Sequence, residues 1–227
     1  MIIYGKQIVL FVLEHHSNLI EEVLLAKEID SKLFSRFAKL NKAIIKLDNK
    51  KAQALSRGGN HQGFFLKIKE FNFTPLSELK KSKFLVILDS LTDMGNIGAI
   101  IRSSYALGAD GIVITGIKDI KMEQIIRTSS ASALDMPISS HFDISDLLNQ
   151  LKLDSFSLVG AHMNGEDIKE FKQDLNKIAL IVGNEGSGLQ NKVLKKLDYQ
   201  VSIKMAREFD SLNVSVASAI LIHHLKG

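Results

Sequence analysis

Ile178-Ala179-Leu180-Ile181-Val182-Gly183-Asn184-Glu185-Gly186-Ser187-Gly188-Leu189 is the stretch that decides the fold. Five apolar residues in a row lack the alternation of a half-exposed strand. They predict a strand buried on both faces, the habit of parallel sheets. A glycine-rich turn carrying a carboxylate follows at once, so this strand opens directly onto a polar loop. Phe84-Leu85-Val86-Ile87-Leu88 repeats the pattern upstream. Outward from these two runs, strands are predicted at 84–89, 111–115, 137–141, 156–161, 177–182 and 199–204. Helical patterns lie between most of them, and a final helix begins at about Ser211. Repeated β-α units of this kind predict an α/β fold built on a parallel sheet over residues 84–227.

The first third reads differently. Gly5–Glu14 predicts a short helix, Glu22–Leu25 a strand, and Ser31–Leu40 an amphipathic helix capped by Ser31. Ala43–Leu47 predicts a strand, Lys50–Ser56 a helix and Gly63–Ile68 a strand, with a glycine-rich turn at 57–63 before the last. Residues 1–70 thus form a small α/β domain. Residues 71–83, with Pro75 and the cluster Lys80-Lys81-Ser82-Lys83, read as a linker. Charge is divided along the same line. Residues 1–82 hold 14 Lys/Arg against 8 Asp/Glu, a net +6, and residues 83–227 hold 15 against 17, a net −2. A basic module that docks on a polyanion and a merely lysine-rich solvated surface both fit that split.

Composition removes several function classes. The chain has no cysteine, which excludes disulfides, thiolate metal sites and cysteine nucleophiles. The histidine pairs His15-His16 and His223-His224 lack metal-ligand spacing, so no metal is expected. No run approaches the roughly 18 apolar residues of a membrane span. Glu14-His15-His16 interrupts the apolar start before any cleavage-site pattern, and the chain reads as cytoplasmic.

Three strand-to-helix junctions carry the chemistry. Glu185 sits in a loop that matches no phosphate-binding fingerprint, and its carboxylate would repel a phosphate. It suits ribose hydroxyls, a cationic ligand such as a sulfonium, or plain solvent. In Asn96-Ile97-Gly98-Ala99-Ile100-Ile101-Arg102, Asn96 is expected to cap a helix that Gly108 ends. Gly98 and Arg102, four apart, share one helix face, leaving room for a bulky group beside a guanidinium. An ordinary surface arginine fits the same residues. Ser211-Leu212-Asn213-Val214-Ser215-Val216-Ala217 opens the last helix, with Ser211 as a possible cap. Its small residues allow close approach of another helix, within the core or from a second subunit.

Together, these three motifs closely resemble the SpoU (TrmH) family of RNA ribose 2′-O-methyltransferases, within the SPOUT superfamily, over residues 84–227. The family pattern runs N-x-G-x-x-x-R, then G-N/A-E-G-x-G, then S-L-N-V-S-V-A. The first third is similar to the family's N-terminal RNA-binding substrate domain, with His61-Gln62-Gly63 before its last strand. The resemblance implies a sheet whose C-terminal part is threaded into a trefoil knot, S-adenosylmethionine as cofactor, RNA as substrate, and a homodimer. It implies a catalytic set of Arg102, Asn96, Glu185, Ser211 and Asn213, and cofactor contacts at Gly183, Ile203, Leu212, Thr115 and Met205. Two departures stand out. Ile203-Lys204-Met205 replaces Ile-Pro-Met, and Ala206-Arg207-Glu208-Phe209-Asp210 lacks the glycine that usually precedes the serine. The implied function is methylation of a guanosine ribose in 23S ribosomal RNA. The alternatives are a tRNA ribose methyltransferase and a catalytically weak RNA-binding or ribosome-assembly protein.

Overall fold

Short polar turns between apolar runs make the chain alternate strand and helix throughout. The computed structural model describes residues 1–208 and 211–226. Phe209 and Asp210, part of the altered stretch before Ser211, therefore lie outside the described residues. The chain forms two compact units, Met1–Asn72 with Lys121–Ala131, and Phe73–Ile120 with Ser132–Gly227.

The first unit begins with β1 (Ile2–Tyr4), α1 (Lys6–His15), β2 (Ile20–Leu25), α2 (Ser31–Ala38), β3 (Ala43–Lys46), α3 (Asn49–Ser56) and β4 (Phe64–Ile68). Its sheet runs β1-β4-β2-β3, with β4 antiparallel to both neighbours and β3 parallel to β2. Ile3, Val9, Val12, Phe37, Phe65 and Leu66 are fully buried in it. The strand β1 was not expected from sequence. Asp30, not Ser31, caps α2, its carboxylate accepting from the Leu33 amide at 2.8 Å. An aspartate there also meets the positive end of the helix dipole, so it outcompetes the adjacent serine.

The chain continues through α4 (Leu76–Leu79), β5 (Phe84–Asp89), α5 (Met94–Ala106), β6 (Gly111–Thr115), α6 (Met122–Thr128), β7 (Ile138–His141), α7 (Ile144–Leu153), β8 (Ser157–Asp167), β9 (Ile178–Val182), α8 (Asn191–Leu194), β10 (Tyr199–Ser202) and α9 (Val214–Lys226). Of these, α6 belongs to the first unit, where Arg127 lies 5.0 Å above the Tyr4 ring. The second unit has one sheet, ordered β10-β8-β9-β5-β6-β7, with every pairing parallel. Every residue of β5, β6 and β9 is buried, as their unbroken apolar runs require. Leu147, Leu148 and Leu151 of α7 join Leu85, Ile87 and Ile181 in its core.

In the second unit, four boundaries differ from expectation by two residues or more. The strand β8 is 11 residues long because its second half pairs with β10 beyond a bulge at Gln200/Val201. There, Ser202 Oγ donates to the Gly165 carbonyl at 2.9 Å, and β10 ends at Ser202 rather than 204. Asp93, not Asn96, caps α5, accepting from the Asn96 amide at 2.7 Å. Asn96 thus falls in the first turn with its side chain released. The last helix starts at Val214, and Asn213, not Ser211, caps it, its Oδ1 accepting from the Ser215 amide at 2.9 Å. Gly108 ends α5 in left-handed geometry (φ +80), as expected. Among the described residues, no helix is long and apolar enough to cross a membrane.

Candidate active site

All six strands of the second unit run the same way, so their C-terminal ends gather along one edge, where open α/β sheets place ligands. Gly183 leaves β9 on that edge. A Cβ there would stand 2.5 Å from the Gly188 carbonyl and 2.7 Å from the Leu189 amide, so only glycine lets the loop fold back on itself. The Gly188 amide closes the turn on the Asn184 carbonyl at 2.8 Å. Inside it, Asn184 Oδ1 accepts from the Gly186 amide at 2.9 Å, and Asn184 Nδ2 donates to the Ser90 carbonyl at 3.0 Å. Ser90 follows β5 with φ +59, and its amide donates to the Thr115 carbonyl at 2.9 Å. The exposed Glu185 is therefore carried on a tethered loop.

Three side chains from three distant segments then join. Asn96 Nδ2 donates to Glu185 Oε1, and Asn213 Nδ2 donates to Asn96 Oδ1 at 3.1 Å. Asn213 Oδ1 accepts from Ser215 Oγ at 2.6 Å as well as from its amide. A carboxylate only accepts, so it fixes which end of the Asn96 amide faces Glu185. That in turn fixes Asn213, and a single pattern of donors satisfies the whole chain.

Two adjoining clefts flank this chain. One, of about 290 Å³, is lined by Gly183, Asn184, Glu185, Ser211, Leu212 and Asn213, among others. The second, of about 400 Å³, is lined by Ile203, Lys204, Met205, Ser211, Leu212 and Leu221, among others. Ala161, Ser211, Leu212 and Ala217 belong to both. Gly183, Glu185, Ser211, Leu212, Asn213, Ile203 and Met205 thus come together around one concavity, and Asn96 is joined to it by hydrogen bonds. Arg102 lies on α5, exposed, six residues beyond Asn96, and neither cleft counts it among its lining residues. Thr115 is not brought to the clefts. It is fully buried in β6 opposite Asp89, and its Oγ1 has no hydrogen-bond partner among the described residues.

Sequence reasoning missed Asn184, Ser90 and Asp89. Burial pushes the Asp89 carboxyl above its ordinary range, against the opposing pull of the Ser90 hydroxyl and the Lys192 charge. Only Asn184 carried a signal, its place beside Glu185 in a glycine-rich loop. Ser90 acts through its backbone, which leaves no mark on residue type. No group of three or more His, Cys, Asp or Glu able to hold a metal occurs among the described residues.

Known proteins are similar to this chain in sequence and in fold. A family model described as the SpoU rRNA Methylase family matches residues 83–223, and one described as RNA 2′-O ribose methyltransferase substrate binding matches residues 2–74. An uncharacterized tRNA/rRNA methyltransferase of Borreliella burgdorferi is 30% identical over 82% of this chain and 88% of its own length. The 23S rRNA (guanosine(2553)-2′-O)-methyltransferase RlmP of Bacillus subtilis is 32% identical over 67% of this chain and 62% of its own. Among solved structures, AviRb of Streptomyces viridochromogenes, in complex with AdoMet, superposes with a TM-score of 0.81 at 23% identity. The match covers 100% of this chain and 89% of that one. An AdoMet-bound rRNA methyltransferase of Sinorhizobium meliloti gives 0.80 at 22%, covering 98% and 85%.

Proposed function

Since the chain is an RNA methyltransferase belonging to the SpoU rRNA methylase family, we propose that it moves a methyl group from S-adenosylmethionine to the 2′-hydroxyl of a guanosine ribose in 23S ribosomal RNA. The observation that carries this reading is the Glu185–Asn96–Asn213 chain at the rim of a cleft lined by Gly183, Ser211 and Leu212. The ribosomal target draws support from the substrate-binding match over residues 2–74, the +6 charge of the first 82 residues, and the likeness to RlmP. The domain plan belongs to the same proposal: RNA binding at 1–70, a linker at 71–83, and a methyltransferase domain at 84–227 with the trefoil threading that the resemblance implies.

The residues present suit the cofactor. The second cleft has the size of a small-molecule site, which typically spans about 300–1,000 Å³. Ile203, Met205, Leu212 and Leu221 give it apolar walls. Gly183, Ile203, Met205 and Leu212 would hold the cofactor, which supplies an electrophilic methyl on a cationic sulfur. The chain's own task is then positioning and the handling of one proton. Glu185 spends one oxygen on Asn96 and keeps further lone pairs for ribose hydroxyls. Asn96 and Asn213 hold that carboxylate in a single orientation. Ser211, exposed where the clefts meet, reaches the sugar. Arg102 grips the phosphate of the target nucleotide. A guanidinium holds its proton too tightly to serve as a base, so its role is orientation and electrostatics. On α9, Val216 and Ile220 are 48% and 39% exposed beside the small Ser215 and Ala219. That face suits contact with a second copy of the chain, near the Asn213 end of the site.

The test offers purified protein and methyl-labelled S-adenosylmethionine to an unmodified 23S rRNA transcript and to unmodified tRNA, then locates the label. Label on a ribose 2′-oxygen of a 23S guanosine is expected. Label in tRNA alone would move the substrate to the second class, and no label in either RNA would overturn the reading. Arg102→Ala should abolish transfer while sparing cofactor binding, and near-normal turnover would remove Arg102 from the mechanism.

A further inference from the structure

One exposed aromatic stands on the catalytic edge of the sheet without a structural reason to be there. Phe142 follows β7 directly and is 63% exposed. Buried aromatics hold cores together, whereas a ring left this open contributes little to folding. Its position is nevertheless fixed. The Gly116 amide donates to the Phe142 carbonyl at 3.3 Å, and Lys118 Nζ stands 5.6 Å from the ring centroid.

The strand register relates Phe142 to the catalytic loop. Leu88 pairs with Val182, Asp89 with Thr115, and Thr115 with His141. The residues just past that row are the Glu185 loop on β9, Ser90 on β5, Gly116 on β6 and Phe142 on β7. Neighbouring strands stand ~4.8 Å apart, so three spacings put Phe142 ~14 Å along the edge from the β9 loop. Four stacked nucleotides, at ~3.4 Å each, cover that distance, and fewer suffice when splayed.

Two lysines contribute positive charge here. Lys118 is beside the ring, and Lys192 is near enough to act on Asp89. The carboxylates that follow the ring keep their charge while held in local hydrogen bonds. Asp143 caps α7 through the Ser145 amide at 2.7 Å, and Asp146 holds His141 Nε2 at 2.8 Å. An exposed, flat π face backed by a cation is the equipment that binds an unpaired base by stacking.

Resting on the reading above, we propose that Phe142 and Lys118 form a stacking platform for an unpaired base of the RNA substrate, a few nucleotides from the ribose that is methylated. The platform adds grip and register, and takes no part in the transfer itself.

The test compares wild type, Phe142→Ala, Phe142→Leu and Phe142→Tyr on an unmodified 23S rRNA transcript. The side chain is exposed, so all four proteins should melt alike. In Ala and Leu variants KM for RNA should rise on the order of 10-fold, with kcat at saturating RNA and cofactor Kd unchanged. The Tyr variant should stay within about twofold of wild type, since it keeps the ring. Filter retention of the same transcript needs no methyl transfer and should rank the four proteins identically. Wild-type KM and retention in the Ala variant, or full rescue by Leu, would overturn the platform. A changed oligomeric state in the Ala variant would overturn it too, by making Phe142 a contact between copies. A wild type that retains RNA in this ranking but transfers no methyl would instead contradict the functional reading.

Discussion

Asn213 Nδ2 donates to Asn96 Oδ1 at 3.1 Å, across 117 positions of chain. Neither residue has a local reason to meet the other. They meet because α5 and α9 both start at the sheet edge, each with a side-chain cap that sets its first turn. Asp93 caps α5 and so releases Asn96, which then joins Asn213 to Glu185.

Asn96→Asp tests that chain through charge. The substitution removes the donor facing Glu185 and puts a second carboxylate beside it. Like charges at this range raise one carboxyl's pKa, so the pair holds a shared proton at low pH and repels when both ionise. Turnover should fall on the order of 100-fold at pH 8 and recover in part as pH drops toward 6. Cofactor Kd should change little. A pH–rate profile of kcat/KM checks both features.

Gly183→Ala tests the loop. The new methyl would stand 2.5 Å from the Gly188 carbonyl, and backbone on that side cannot turn away as a side chain could. The loop must shift, at a cost of about 1–3 kcal/mol. Cofactor affinity by calorimetry should weaken at least about tenfold, with a lower melting temperature.

Asp89→Asn tests the buried carboxyl beneath Ser90. Burial raises its pKa on folding, so the folded chain holds that proton more tightly than the unfolded one. The benefit is complete below the unfolded value of ~3.9 and is lost as pH rises through the folded value. At neutral pH the ionised group therefore carries a desolvation cost. Asparagine keeps an acceptor for Ser90 Oγ, 3.1 Å away in wild type. The variant should melt ~2 °C above wild type at pH 7, with the gap closing near pH 3. Melting curves across that range check the sign.

The sheet was legible because burial on both faces writes unbroken apolar runs, as in Phe84–Leu88 and Ile178–Val182. Caps were less legible. Asp30-Ser31 and Asp93-Met94-Gly95-Asn96 each offer two capping residues a few positions apart, and the helix dipole chooses the acid. The strand β1 is three residues long, too short to display a period, and its pairing with β4 lies more than 60 residues away. At the site, Glu185, Asn213 and Gly183 stood out because their motifs did. Thr115 was expected near the cofactor, and the end of β6 holds it buried opposite Asp89. Asn184 acts by hydrogen bonds to backbone, for which sequence offers no partner.

The most direct measurement is labelled-methyl transfer to unmodified 23S rRNA by Glu185→Ala, with cofactor Kd measured by calorimetry on the same preparation. A loss of on the order of 100-fold in kcat, with Kd within about threefold of wild type, is the predicted result. Turnover within twofold of wild type would contradict the account.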